Sequence, residues 1–377
     1  MAKAVPGTGP VPLSPLFQPV SFADLPGWAD DDQLPAFEAF RRSAFHVLTK
    51  PYRSGALGVA FDGFAAAYAD SRETSPADGA EARAFFERHF APALVSPGEA
   101  ASGFVTGFYE PVVEASPVRT GNFTVPLLKR PDDLVDVDDT NRPDGMDAYL
   151  AFARRTDAGT VEYFDRPAIE QGVLAGRGLE IAWLAEKVDA FFIHVQGAAR
   201  LEMTDGSLKR VTYAAKSGQR FTGIGKVLAE LGEIPLAEVT MQSIRAWLAK
   251  NPRRVDEILW QNRSYIFFRE ADVEDLKLGP IAAAKVPLTP GRSVAVDRLL
   301  HTFGTPFYIN APSLEAFGGK EFRRLMIAQD TGSAIVGPAR GDLFAGSGDA
   351  AGEIAGVVRN AADFYALLPK TLLEGRS

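Results

Sequence analysis

Two aspartates twelve positions apart, Asp330 and Asp342, lie in a stretch dense in glycine: Gly332, Gly337, Gly341, Gly346 and Gly348. A carboxylate held against an apolar wall resists ionisation, so its pKa rises and it can act as an acid at neutral pH. Leu325, Met326, Ile327 and Ala328 lead into Asp330, and Ala334, Ile335 and Val336 separate the pair. Glycine allows close backbone approach, which suits a loop that must hold such a group. The competing reading is turn chemistry, because Asp beside Gly accepts backbone N–H bonds in loops. Three features weigh against it: the apolar flanks, Arg340 beside Asp342, and a helix start expected at Ser347-Gly348-Asp349. Ser347 reads as the N-cap of a helix over 349–358, and a helix N-terminus favours nearby negative charge or a sugar hydroxyl.

Asp330-Thr331-Gly332-Ser333 also matches the aspartic-protease motif. That chemistry needs two carboxylates sharing one proton, hence two motif copies or a dimer of short chains. The chain has no second copy, which makes it a poor protease candidate. Thr106-Gly107-Phe108-Tyr109-Glu110-Pro111 is the other dense spot. It reads equally as a plain strand stopped by proline or as a carbohydrate platform, with rings stacking on sugar faces and Thr and Glu binding hydroxyls. Phe192–Gly197 reads as a strand with His194 structural. None of the four histidines has a partner at metal-ligand spacing, so neither a metal nor a cofactor is expected. Thr222-Gly223-Ile224-Gly225-Lys226 lacks phosphate-loop spacing, and there is no Gly-x-Ser-x-Gly elbow.

The elements that must position these groups belong to 377 residues, long enough for two domains. Apolar content of 46% and charged content of 23% fit a globular chain. A net charge of −8 argues against nucleic acid, which needs a basic face, and fits an uncharged polymer better. The absence of cysteine excludes disulfides, thiolate metal sites and a cysteine nucleophile. No window reaches the roughly 20 apolar residues of a membrane span. Behind Met1 there is one lysine and no apolar run, so no signal-peptide core is visible and no N-terminal cysteine can carry a lipid. Either a leader has been removed or export takes another route.

Residues 1–20, rich in Pro and Gly, read as a flexible arm. Helices are expected over 32–50 and 75–91, the latter starting at Ser75-Pro76 and stopping at Pro92. Strand character begins at 104–113. Short strands then dominate 118–217, including a hairpin at Asp205-Gly206. Helices return over 224–231, 240–250 and 252–260. Strands follow at 264–269, 293–295, 307–309 and 325–328, and the segment from Gln329 to Gly348 reads as a glycine-rich loop.

Taken together and in order, these motifs resemble the membrane-bound lytic murein transglycosylase A family. The resembling runs are Thr106–Pro111, Tyr163–Arg166 with Gly176–Glu180, Phe192–Gly197, Asn262–Phe268, and Pro287–Ser293 with Ala295–Arg298. Gly304-Thr305-Pro306 and Asp330–Phe344 complete the set. Asp297, Asp330 and Asp342 also resemble the three-aspartate module of other cell-wall proteins. The resemblance implies a mainly β fold with peripheral helices. It implies a double-psi β-barrel from 21–112 together with 263–377, and a second, inserted β-barrel domain over 113–262 that forms the other wall of a groove. It implies cleavage of the β-1,4 bond between N-acetylmuramic acid and N-acetylglucosamine in peptidoglycan, without water, to a 1,6-anhydro end.

Asp342 falls on the family's catalytic acid and Asp330 on its supporting neighbour. Thr106, Tyr109, Glu110, Gln196, Lys216, Ser217 and Arg340 are expected near Asp342 as substrate-binding residues, with Glu110 and Gln196 the first candidates for purely structural roles. The implied partner is the peptidoglycan glycan strand, in the periplasm or cell envelope of a Gram-negative bacterium, with the chain a monomer. Cell-wall synthesis or division complexes are further partners of that setting. The alternative is a non-catalytic glycan-binding double-psi barrel; a hydrolytic outcome would leave reducing ends instead.

Overall fold

A computed structural model describes residues 12–138 and 140–373. The chain divides into two compact units. The first comprises Met1–Phe108, Lys277–Gly346 and Val358–Ser377, and the second Tyr109–Leu276 with Ser347–Val357. The first is built on strands with helices packed against them, and the second combines strands and helices. No helix among the described residues is long and apolar enough to cross a membrane.

The first unit is built on a nine-stranded sheet. Its order is Phe17–Pro19, Phe90–Val95, Asp363–Pro369, Pro306–Ala311, Phe322–Asp330, Ser293–Val296, Arg340–Ser347, Phe104–Glu110 and Arg359–Ala361. The order is open, and no closed barrel forms among the described residues. Pro306–Ala311 and Ser293–Val296 are buried along their whole length, as expected of strands covered on both faces. Leu34–His46 lays Phe37 and Phe40 on the sheet, both fully buried. Phe37 meets the Phe85 ring edge-on at 4.9 Å, and Phe40 stacks on Tyr68 at 4.9 Å. Gly304 has φ +86°, and a Cβ there would lie 1.9 Å from the Tyr68 hydroxyl. Gly304→Ala is therefore expected to lose about 1–3 kcal/mol of stability, seen as a lower urea midpoint with unchanged slope.

Several expectations need correction. Of the arm over 1–20, residues 1–11 lie outside the described residues, and Phe17–Pro19 is an edge strand paired with Ala93–Val95. The second helix starts at Gly79, where the Asp78 carboxylate accepts from the N–H groups of Ala80 and Glu81. It ends at His89 because Phe90–Val95, with Pro92 inside it, joins the sheet. The helix Ala65–Glu73 had no clear signal. Ser347 ends a strand and donates its hydroxyl to Glu110, so it does not cap the Asp349–Val357 helix.

In the second unit a four-stranded sheet runs Ile266–Ala271, Leu208–Lys216, Ala198–Met203, Val112–Ala115. Its hairpin turns at Asp205-Gly206 as the sequence predicts, with Gly206 at φ +83°. A two-stranded and a three-stranded sheet and several helices complete the unit. Phe192–Gln196 is not a strand; it belongs to the helix Lys187–Gln196, which Gly197 ends in the left-handed region at φ +77°. Arg166 is 1% exposed and binds the carbonyls of Asn262 and Ser264, the Glu170 carboxylate and His194 Nδ1. The Tyr163–Arg166 and Asn262–Phe268 motifs thus meet as internal scaffolding.

Candidate active site

Three neighbouring strands of the first unit bring the two aspartates together. Ala295 is the register partner of Asp330 on its parallel side and of Asp342 on its antiparallel side. Strand register puts partners on one face, so both carboxylates share a face with the small Ala295 methyl between them. Alternation selects Asp342, and a register shift between Val294 and Ala295 that skips Gln329 turns Asp330 to the same face. Val294, Val296, Leu343 and Val105 point into the main core, whereas Ala295, Phe344 and Phe108 form a second apolar cluster with Leu288 and Ile335. Gln329, just before Asp330, is buried on the core side and donates to Ala39 O and Ser43 Oγ. Asp342 therefore sits on a strand, not in the loop the glycines suggest. A Cβ on Gly341 would lie 2.9 Å from the Phe364 ring and 3.0 Å from Val294, so this glycine serves close packing within the sheet.

Asp342 Oδ1 accepts from the Thr106 hydroxyl at 2.6 Å, and Thr106 Oγ1 accepts from the Arg340 guanidinium at 2.7 Å. Arg340 also donates to the Gly341 carbonyl. Asp330 Oδ1 accepts from the Ala283 N–H at 3.1 Å. The turn that supplies this N–H is fastened by Ala284 N–H to Gln329 O at 3.0 Å and by Tyr52 hydroxyl to Ala284 O at 2.8 Å. It contains Lys285 at φ +61°, the one non-glycine in the left-handed region among the described residues. Such backbone is costly and often accompanies functional sites.

Burial pushes the Asp330 carboxyl up to about 6, against the pull of the Thr331 and Ala283 N–H groups; the Asp342 charge adds to the rise and Lys285 opposes it. Burial also raises Asp342, and Arg340 and Thr106 hold it back. A carboxyl whose folded pKa exceeds its unfolded value stabilises the fold fully below the unfolded pKa. It loses that contribution as pH rises through the folded value. For Asp330 the window runs from the usual 3.8 to about 6. Asp330→Asn has no proton to lose, so its stability relative to the parent is expected to climb across that window, by roughly 1–3 kcal/mol. Urea unfolding at pH 4 and pH 8 checks this; an equal difference at both values would contradict it.

Asp297, the third aspartate, is 8% exposed and braces the segment between the other two. Its Oδ2 accepts from Gly337 N–H and its Oδ1 from Leu299 N–H, both at 3.0 Å. His301 Nε2 meets Pro338 O at 2.8 Å, and burial lowers this imidazole to about 4, so it is neutral at pH 7.

The structure brings Thr106, Arg340, Asp330 and Asp342 together in the first unit. The other predicted residues lie in the second. Glu110 is corrected to a structural role: it is fully buried and held by Arg210 at 2.5 Å, Arg200 at 3.0 Å and Ser347 at 2.6 Å. Ser217 is likewise fully buried; its hydroxyl donates to Gln219 at 2.5 Å and accepts from Tyr265 N–H at 2.9 Å. Gln196 uses its carbonyl to hold Tyr109 N–H at 3.1 Å. Lys216 rests over the Tyr149 ring, 4.8 Å from its centre. Tyr109 lines a cavity of about 560 Å³ with Phe123, Asp189, Arg245, Asp349 and Glu353. Sequence reasoning missed Ala295, Ala283 and Lys285. A single alanine carries no sequence signal, and the Lys285 backbone is invisible before folding.

Residues 104–269 match the MltA specific insert domain, and residues 292–368 match the 3D domain. A membrane-bound lytic murein transglycosylase from Agrobacterium tumefaciens superposes with a TM-score of 0.90 at 52% identity, over 95% of this chain and 99% of that one. MltA from Escherichia coli with bound chitohexaose superposes with a TM-score of 0.67 at 25% identity, over 97% and 96% of the two chains. The membrane-bound lytic murein transglycosylase A of Vibrio cholerae is 36% identical over 196 residues, which span 51% of this chain and about half, 52%, of that curated relative. With both domains present in order and a relative 52% identical over nearly its whole length, the chain belongs to the membrane-bound lytic murein transglycosylase A family.

Proposed function

We propose that this chain cleaves the β-1,4 bond between N-acetylmuramic acid and N-acetylglucosamine in peptidoglycan without water, leaving a 1,6-anhydro-muramoyl end. The observation that carries the reading is the Asp330–Ala295–Asp342 face, where two carboxylates with raised proton affinity adjoin one small side chain. Asp342 is the acid and then the base. Protonated, it gives its proton to the bridging oxygen as the bond from that oxygen to C1 breaks. The resulting carboxylate takes the proton of the sugar's own C6 hydroxyl while that oxygen bonds to C1. One bond forms, one breaks, and one proton moves from O6 to the departing oxygen. The intramolecular nucleophile removes the need to position water. A single acid/base suffices, unlike in hydrolases that use two separate carboxylates. Asp330 supports Asp342 from across Ala295: the Asp342 charge raises the Asp330 carboxyl, so the two resist ionising together.

Tyr109, Gln196 and Lys216 are proposed to contact or shape the path of the glycan. The bound chitohexaose of the Escherichia coli relative supports a β-1,4-linked amino-sugar chain as the ligand class. The same reading carries exo-cleavage, a monomeric state and a place in the envelope of a Gram-negative bacterium.

Digestion of purified sacculi followed by mass spectrometry of the sugar ends tests the proposal. Anhydro ends are expected. Reducing ends would make the protein a hydrolase, and retained binding without release would make it a glycan-binding protein.

A further inference from the structure

We infer that Arg340 and Thr106 form a one-way hydrogen-bond chain that fixes Asp342 Oδ1 as an acceptor and leaves Oδ2 as the oxygen that carries and hands over the proton. The direction follows from the donor inventory. A guanidinium has only N–H donors and no acceptor, so at 2.7 Å it must donate to Thr106 Oγ1. The hydroxyl has one hydrogen. With Arg340 on its lone pair, that hydrogen points along the 2.6 Å contact to Asp342 Oδ1. An oxygen already receiving a strong hydrogen bond is the poorer place for a second proton, so the acid proton sits on Oδ2.

The two residues are held for this task. Thr106 and Asp342 lie on adjacent strands, and Arg340 opens the same strand as Asp342. The Arg340 guanidinium lies 5.5 Å from the centre of the Phe104 ring, two residues before Thr106, which fixes its reach. The charged groups around Asp342 are Arg340 on its own strand, Asp330 across Ala295, and Lys285 beside Asp330. Arg359 is the register partner of Thr106 on the edge strand. Thr106 and Arg340 thus act as positioning residues rather than as the sugar ligands expected from sequence.

This inference rests on Asp342 being the acid/base, and its test separates the two claims. Thr106→Val keeps the shape and removes the hydroxyl; Thr106→Ser restores it. The hydroxyl stabilises the carboxylate form, so its loss raises the proton affinity of Asp342. In Thr106→Val the alkaline limb of the kcat profile on sacculi is expected to move up by about one pH unit, with kcat down about tenfold or more and KM little changed. Thr106→Ser is expected to return both toward the parent. The same shift is expected in the carboxyl ¹³C titration of Asp342, assigned by its absence in Asp342→Asn, and that reading needs no turnover. A protein that leaves sacculi uncut but shows the Thr106-dependent titration would sink the transglycosylase reading and keep the chain. An unmoved titration in a folded Thr106→Val, or a change in KM alone, would overturn the chain and return Thr106 to substrate contact. Should Thr106→Val fail to fold, the titration of Thr106→Ala decides by the same criterion.

Discussion

Asp342→Asn is expected to lower release of anhydro-muropeptides by about 10²–10⁴-fold, toward the upper end because a poor leaving group must be protonated. The amide keeps the size of the acid and can still accept the Thr106 hydrogen bond. It can neither give nor take a proton. Glycan binding, measured by pull-down with sacculi, is expected to persist, and thermal unfolding at pH 5 is expected to stay close to that of the parent. Asp330→Asn is expected to lose less turnover, because Asp330 reaches the chemistry only through its neighbour across Ala295. Sacculus digestion by both variants, with anhydro ends counted, decides the assignment. Activity retained in Asp342→Asn and lost in Asp330→Asn would reverse the roles. Activity in both would remove the pair from the chemistry altogether.

Glu110→Ala is expected to produce the largest loss of stability, about 3–5 kcal/mol. The carboxylate is fully buried and receives Arg200, Arg210 and the Ser347 hydroxyl. Removing it takes away the countercharge those two guanidiniums face in a dry interior. The Glu110 carbonyl also accepts Gly348 N–H at 2.9 Å, next to the start of the Asp349–Val357 helix. Glu110→Gln keeps the shape without the charge and is expected to fall between the two. Urea unfolding followed by tryptophan fluorescence gives the measurement. A Glu110→Ala protein of parental stability but without turnover would instead make Glu110 part of the chemistry.

The sequence made legible those elements that carry their own local signals. The Asp205-Gly206 hairpin and the amphipathic helix at Leu34–His46 form where their patterns predict. Phe192–Gln196 alternates polar with apolar residues as a strand does, yet it is helical. Gly197 was a stop signal in plain view, and the Lys187–Gln196 helix buries Phe191 and Phe192 together with Ile193 and His194. Asp342 stands out in the sequence as chemistry while its surroundings resemble a loop, because glycines that serve tight sheet packing resemble glycines that serve turns. Glu110 and Ser217 were polar residues in dense motifs, and nothing local says that their partners come from 237 and 48 positions away. Buried ion pairs and internal hydroxyl bonds are long-range facts. Chemistry-bearing residue types are therefore easier to nominate than to sort into those facing a ligand and those facing the interior.

The contact between Thr106 and Asp342 joins residues 236 positions apart, and the sheet that frames it is completed by Asp363–Pro369 near the end of the chain. Loop closure over such distances is slow, and pairing of this kind comes late in folding. A growing chain that has emerged only as far as Ser264 has Thr106 but neither aspartate. The constellation does not exist until the chain has been made past Asp342, however early the middle segment folds. For a protein whose proposed substrate is the load-bearing wall of its own cell, the order of the chain works as a timer: a copy still being made, short of Asp330 and Asp342, lacks the constellation.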